Sequence, residues 1–157
     1  MFKIKKVANI ALTFCFLLSS CYVTKTVLDN QNQLTDNLVF EINLIEEGNS
    51  ISQGGNSFSR PKKGDKFVFI HLTVQNNSDK TEKLDFNNFY LLDTVNKTKR
   101  KLESVMLTTA VNLWGSSDSS IKGNSKKSRK LVFTFPKEQV PSLMLVNDNA
   151  ISIPYSK

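Results

Sequence analysis

Residues 66–75 constrain this chain more than any other stretch. Val68, Ile70, Leu72 and Val74 alternate with Phe67, Phe69, His71 and Thr73. Extended, they put four aliphatic side chains on one face and aromatic, imidazole and hydroxyl groups on the other. The run stops at Asn76-Asn77-Ser78-Asp79-Lys80, where short polar side chains bond to nearby backbone and turn the chain. A strand with one wholly aliphatic face needs a second apolar layer to cover it. Further strand candidates follow at turn-bounded intervals: 38–45, 84–92, 131–135 closed by Pro136, 143–146 and 151–153. Residues 99–103 read as a short edge strand whose lysines guard unpaired backbone. Residues 105–113 fit either a strand or one or two helical turns, and 46–65 and 115–130 read as polar connections. Pro141 and Pro154 mark boundaries. Seven or eight short strands with little helix predict an all-β antiparallel sandwich.

The amino-terminal segment has a different design. Lys3, Lys5 and Lys6 precede an apolar run over 7–18, which ends in Leu17-Leu18-Ser19-Ser20-Cys21. That is the order of a secretory signal, and its end resembles the bacterial lipobox. The resemblance implies that residues 1–20 are removed and that Cys21 is diacylated. The apolar run is shorter than the roughly 20 residues of a spanning helix. Simple cleavage near Ser19 and Ser20 would leave Cys21 as a thiol open to oxidation, the weaker alternative in an exported chain. The expected organisation is a signal over 1–20, a lipidated cysteine with a flexible, partly strand-competent tether over 21–37, and one sandwich domain over 38–157. Three lysines leave with the signal and no acid does, so the formal net charge falls from +7 to +4. The rest is one domain by length, large enough to bury about two-thirds of its unfolded surface. Cys15 lies within the signal, so once Cys21 is acylated neither of the 2 cysteines remains for a disulfide. The expected location is the bacterial cell envelope, and Tyr22 in place of an aspartate leans toward the outer membrane.

Residues 63–78, Lys-Gly-Asp-Lys-Phe-Val-Phe-Ile-His-Leu-Thr-Val-Gln-Asn-Asn-Ser, resemble a widespread group of bacterial secreted and lipid-anchored domains. In that group a glycine starts an alternating strand that ends in an Asn-Asn/Ser turn. Phe89-Tyr90-Leu91-Leu92-Asp93 is similar to its second recurring element. The third is a Gly- and Lys-rich loop leading into a strand, seen here from Gly123 to Phe133-Thr134-Phe135-Pro136, with the closing motif one residue shorter. The resemblance covers about 38–154 and implies an immunoglobulin-like β-sandwich, similar to a small secreted mycobacterial antigen. It supplies no catalytic residue, and function on a sandwich has to come from a site.

Candidate chemistry is sparse. His71 is the 1 histidine, sits mid-strand, and has no nucleophile elbow to serve. One imidazole and no spare thiolate disfavour zinc and copper. Asn76, Asn77, Ser78, Asp79, Asp93 and Asn96 are explained by turn chemistry rather than by a calcium loop. Glu46 and Glu47 are adjacent and so point to opposite faces of a strand. No catalytic activity, metal or cofactor is expected. Three basic clusters stand out: Arg60, Lys62 and Lys63; Lys97, Lys99, Arg100 and Lys101; and Lys122, Lys126, Lys127, Arg129 and Lys130. They are solvated loops and edges or an electrostatic face for a membrane or an anionic envelope partner. Nucleic acid is disfavoured, because the aromatics sit at core spacing instead of between the basic residues. Trp114 is either an exposed anchor for a protein partner or packing over the end of the sandwich. The chemistry the sequence supports best is thus the anchor, with Trp114, Lys126, Lys127, Arg129 and Lys130 as candidate contacts of a binding or accessory envelope protein. The Cys21→Ala chain is expected to remain unprocessed or soluble with its sandwich intact. Intact mass and flotation with membranes check this.

Overall fold

In the computed structural model, the residues described are 23–26, 31–52, 58–108 and 114–153. The strands in chain order are β1 (Val23–Thr26), β2 (Gln31–Gln33), β3 (Leu38–Gly48), β4 (Ile51–Ser52), β5 (Phe58–Ser59), β6 (Asp65–Asn76) and β7 (Glu82–Asp85). They continue as β8 (Phe89–Asp93), β9 (Thr98–Leu107), β10 (Trp114–Gly115), β11 (Asp118–Ile121), β12 (Lys126–Pro136), β13 (Leu143–Val146) and β14 (Asn149–Ser152). A single 3-10 turn, Phe86–Asn88, separates β7 from β8.

The alternating segment forms β6, with β3 on one side and β12 on the other, both antiparallel. Val68, Ile70, Leu72 and Val74 all face the main core, as the alternation predicts. From β12 the sheet passes to β9, and there it turns. Leu102–Leu107 pair with β12, whereas Thr98–Lys101 pair with β8, and the register shifts at Val132/Phe133. A strand that changes partners at an irregularity makes the corner of a sandwich. Beyond it β8, β13 and β14 form the facing layer, while the β7–β11 ribbon adds Leu84 and Ile121 to the same core. Phe40 of β3 meets Phe89 of β8 edge to face at 5.8 Å, and Phe89 meets Phe86 at 5.5 Å. These ring contacts join the two layers. The fold is an all-β antiparallel sandwich.

Several expectations need correction. Residues 98–107 are an interior strand rather than a short edge, although the lysine-bearing half pairs on one side only. The region 115–130 holds β11 and the first half of β12 rather than one polar loop. The segment expected as a partly strand-competent tether does pair, supplying two strands on the outer edge of β3: Val23 lies opposite Glu47, and Gln31 opposite Glu41. Leu34 is buried in the core. The sheet therefore begins well before residue 38. Fourteen strands are described instead of seven or eight, because short pairings of two to four residues carry no periodic signal. Residues 1–20 and Cys21 lie outside the described residues.

At one end of the sheet β3 stops at Gly48, β6 starts at Asp65 and β12 stops at Pro136. At the opposite end Asn76 organises three segments. Its buried Nδ2 donates to the carbonyls of Lys80 (2.7 Å), Ile121 (3.0 Å) and Lys122 (3.3 Å), and its Oδ1 accepts from Ser78 N (3.0 Å) and Oγ (2.9 Å). Gly123 lies so close to the Asp79 backbone that a Cβ there would overlap it. The Asn-Asn-Ser turn and the Gly-Lys loop are thus two halves of one joint. Asn76→Ala is expected to destabilise the domain by about 3 kcal/mol, since it removes a buried amide whose hydrogen bonds join the 76–80 turn to residues 121–122. Gly123→Ala should cost about 1–3 kcal/mol through overlap. Urea unfolding followed by tryptophan fluorescence measures both.

Candidate functional site

Alternation sends the other half of β6 to the outer face of the sheet, away from the main core. There Phe67 and Phe69 are buried against Val132 of β12, Met106 of β9 and Ile51 of β4, forming a second apolar cluster. A sheet face reads as solvated when its residues alternate with a core face, yet the β4–β5 ribbon adds Ile51 to this one. Next along β6 stands His71. Its Nε2 is 2.7 Å from Glu46 Oε2, which also receives Lys130 Nζ at 3.3 Å. Lys130 Nζ sits 5.5 Å from the centre of the Phe69 ring, within cation–π range. One step further, Thr73 Oγ1 donates to Asn43 Oδ1 (2.9 Å) and meets Ser128 Oγ at 2.8 Å. Asn43 is the extra residue of a register shift in β3 between Ile42 and Leu44.

Electrostatics ties the three charged groups together. Burial pushes the Glu46 carboxyl up, but the hydrogen bond from His71 and the charge of Lys130 outweigh it and hold it below its ordinary value. For His71, burial and the nearby Lys130 ammonium favour the neutral ring. The Glu46 hydrogen bond offsets this only in part, so the imidazole titrates below its ordinary value. The hydroxyls of Thr73 and Ser128 bond to each other, and the imidazole bonds to a carboxylate. The face thus presents hydrogen-bonding groups, an imidazole ring and apolar area side by side.

Trp114 belongs to this face. It pairs with Met106 across β10 and β9, and 47% of its surface is exposed. The basic run at 126–130 divides between both faces because it lies in a strand. Lys126 and Lys130 fall on the outer face, whereas Lys127 and Arg129 lie opposite the core residues Val74 and Leu72. Lys127 Nζ donates to Ser119 Oγ (3.0 Å) and Ser120 O (2.7 Å). Arg129 Nη1 donates to Ser128 O at 2.7 Å, and burial lowers the pKa of both side chains. The five candidates therefore form no single patch; Trp114, Lys126 and Lys130 share a face. The sequence shows Glu46 only as a neighbour of Glu47, because its meeting with His71 depends on the β3–β6 register.

Other features are structural or shallow. Asp93 is buried and accepts from Asn96 N (2.9 Å), Asn96 Nδ2 (2.9 Å) and Arg100 Nη2 (3.0 Å). Burial pushes its carboxyl up, but the hydrogen bonds prevail and lower it to about 2. It caps a turn. A groove of about 670 Å³ lies between β7, β11 and the β2–β3 connection. Leu34, Leu38 and Leu84 line it together with Lys83, Asp85 and Asp118, whose charges are mixed. Among the described residues no three His, Cys, Asp or Glu converge, and no helix is long and apolar enough to cross a membrane.

The family profile described as "Domain of unknown function (DUF4352)" matches residues 26–154. A conserved hypothetical protein from Bacillus anthracis has a similar structure, with TM-score 0.60 and 16% identity over 85% of this chain and 97% of that one. An uncharacterised β-sandwich protein from Clostridium difficile gives TM-score 0.51 and 14% identity over 80% and 90%. A protein of unknown function from Listeria monocytogenes gives 0.51 and 15% over 77% and 69%. No curated protein matches the chain. At such identities the likeness concerns the fold.

Because folding depresses the pKa of His71, the unfolded chain binds the proton more readily. Stability is then fully present above the ordinary histidine value of 6.5 and falls as pH drops below it. His71→Gln is expected to flatten that limb while leaving the carboxylate limb at lower pH. Urea midpoints measured from pH 8 to pH 4 check the slope.

Proposed function

We propose, from the premise that this chain belongs to the DUF4352 family of domains of unknown function, that it is a lipid-anchored, non-catalytic binding module of the bacterial cell envelope. The carrying observation is Trp114: a large aromatic about half exposed beside the buried Phe67–Phe69–Met106 cluster, on the face that also carries Lys126 and Lys130. An exposed tryptophan bordering a packed apolar surface is the kind of residue that dominates protein interfaces, with the exposed Lys126 as part of a polar rim. The anchor reading rests on the charged, apolar and Leu-Leu-Ser-Ser-Cys features of the first 21 residues. The non-catalytic reading is supported by the sequence, which carries 1 histidine and no Gly-x-Ser-x-Gly nucleophile elbow for it to serve.

A second reading is an accessory lipoprotein that supports a neighbouring envelope protein without a dedicated contact face. Proximity labelling in living cells separates the two. Trp114→Ala is expected to weaken capture of the principal neighbour about 30-fold, the effect of truncating a strong interface anchor. A neighbour set unchanged by Trp114→Ala and by Lys126→Ala with Lys130→Ala would contradict the face as the binding surface and favour the accessory role.

A further inference from the structure

The end of the sandwich beside Val23 has a composition of its own. Val23 is held opposite Glu47, one residue from the end of β3. Only Tyr22 separates Val23 from Cys21, and two residues span at most about 7 Å. That reach ties an acylated Cys21 to the neighbourhood of Val23, and Val23 is paired beside the end where β3 stops, β6 starts and β12 stops. That end is strongly basic. Arg60, Lys62, Lys63 and Lys137 line a cleft of about 400 Å³ there, with Asp65 as its acid. Asp65 faces Arg100 at 3.9 Å, and Glu47 of the adjoining β3 end is held by Lys66 at 2.8 Å. The four cleft cations are exposed, and none has an ion pair among the described residues. Lys97, in the β8–β9 turn, and Glu138, after β12, are both exposed.

Exposed apolar side chains gather around this basic end. Val95 is 71% exposed at the tip of the β8–β9 turn, Val140 is 51% exposed in the connection after β12, and Phe58 is 61% exposed two residues before Arg60. Cations around apolar tips are the composition of a surface that lies in the headgroup region of an anionic bilayer.

We propose that this end of the sandwich is a docking surface for anionic phospholipid: Val95 and Val140 dip into the interface, and the Arg60–Lys62–Lys63–Lys137 cleft takes headgroup phosphate. The proposal rests on lipidation at Cys21 and deepens that reading. The lipid and the cleft act as two linked contacts, so a weak headgroup site is occupied through high effective concentration. The domain then sits upright on its basic end, with the opposite end, including Ser119, pointing away from the membrane.

The test uses the mature anchored protein in vesicles of phosphatidylglycerol and phosphatidylcholine. With Cys15 removed in the signal and Cys21 acylated, an introduced cysteine is the one free thiol, so an environment-sensitive dye can be placed at Val95→Cys, Val140→Cys or Ser119→Cys. The expected result is a blue shift and strong quenching by bilayer-embedded nitroxide at the first two positions and neither at the third. Each neutralised cation is worth about fivefold in the docked-to-undocked ratio at low salt. The combined variant Arg60→Gln, Lys62→Gln, Lys63→Gln, Lys137→Gln should abolish the difference between positions, as should pure phosphatidylcholine or 1 M salt, at which the Debye length falls to about 3 Å. Circular dichroism confirms that each variant is folded. Equal quenching at all three positions in protein that floats with vesicles, or a pattern indifferent to the four substitutions, overturns the docking and leaves the anchor standing. Protein that fails to float overturns the anchor reading and the docking with it.

Discussion

Everything in this molecule depends on the antiparallel pairing of β6 with β3 and β12. Eleven consecutive residues of β12, Lys126–Pro136, match Gln75–Asp65 of β6 without a shift. A slip of one residue would exchange Val68, Ile70, Leu72 and Val74 for Phe67, Phe69, His71 and Thr73 as the core face. It would put an imidazole and a hydroxyl among Phe40, Phe89 and Phe133, where unpaired polar groups are costly. The register is therefore held by burial, and with it the meeting of Glu46, His71 and Lys130.

From that frame the sandwich closes through one bend. β9 gives its first half to β8 and its second half to β12, and so both layers share one strand. The joint at Asn76 fixes the far end, since one buried amide serves carbonyls of two loops that are distant in sequence. The near end lacks a comparable joint among the described residues and is organised by charge: Arg100 between Asp65 and Asp93, and Lys66 on Glu47. An end joined by a buried amide and an end organised by ion pairs give the molecule a direction.

Much of the fold was legible because its strongest signals are periodic. The core half of β6, the Leu131–Phe135 strand, the Asn76 turn and the sandwich class follow from alternation and turn chemistry alone. The strands β4, β5 and β10 were not legible, and β1 and β2 only as strand-competence within a tether, because a pairing of two to four residues is decided by the partner edge and leaves no period of its own. The basic run at 126–130 was misjudged for a related reason. Its lysines looked like loop residues, but they extend the Leu131–Phe135 strand, and alternation divides them between two faces. Glu46 was invisible as a partner of His71, since 25 residues separate them and only register joins them. Trp114 stood out by composition, but its exposure was decided by two residues of pairing with β9.

On the proposals above, the outer face and the basic end take different tasks: one for a protein neighbour, the other for the bilayer. Both need the same rigid β6–β12 frame, set at one end against the anchor. Amide hydrogen exchange of the anchored chain, compared on anionic and on zwitterionic vesicles, tests this most directly. The expected result is that β6 and β12 amides exchange most slowly on both, while the added protection on anionic vesicles is confined to residues 94–97, 60–64 and 137–140. Added protection at residues 118–121 and 147–148 instead, or β6 amides that exchange as fast as those of β10, would contradict it.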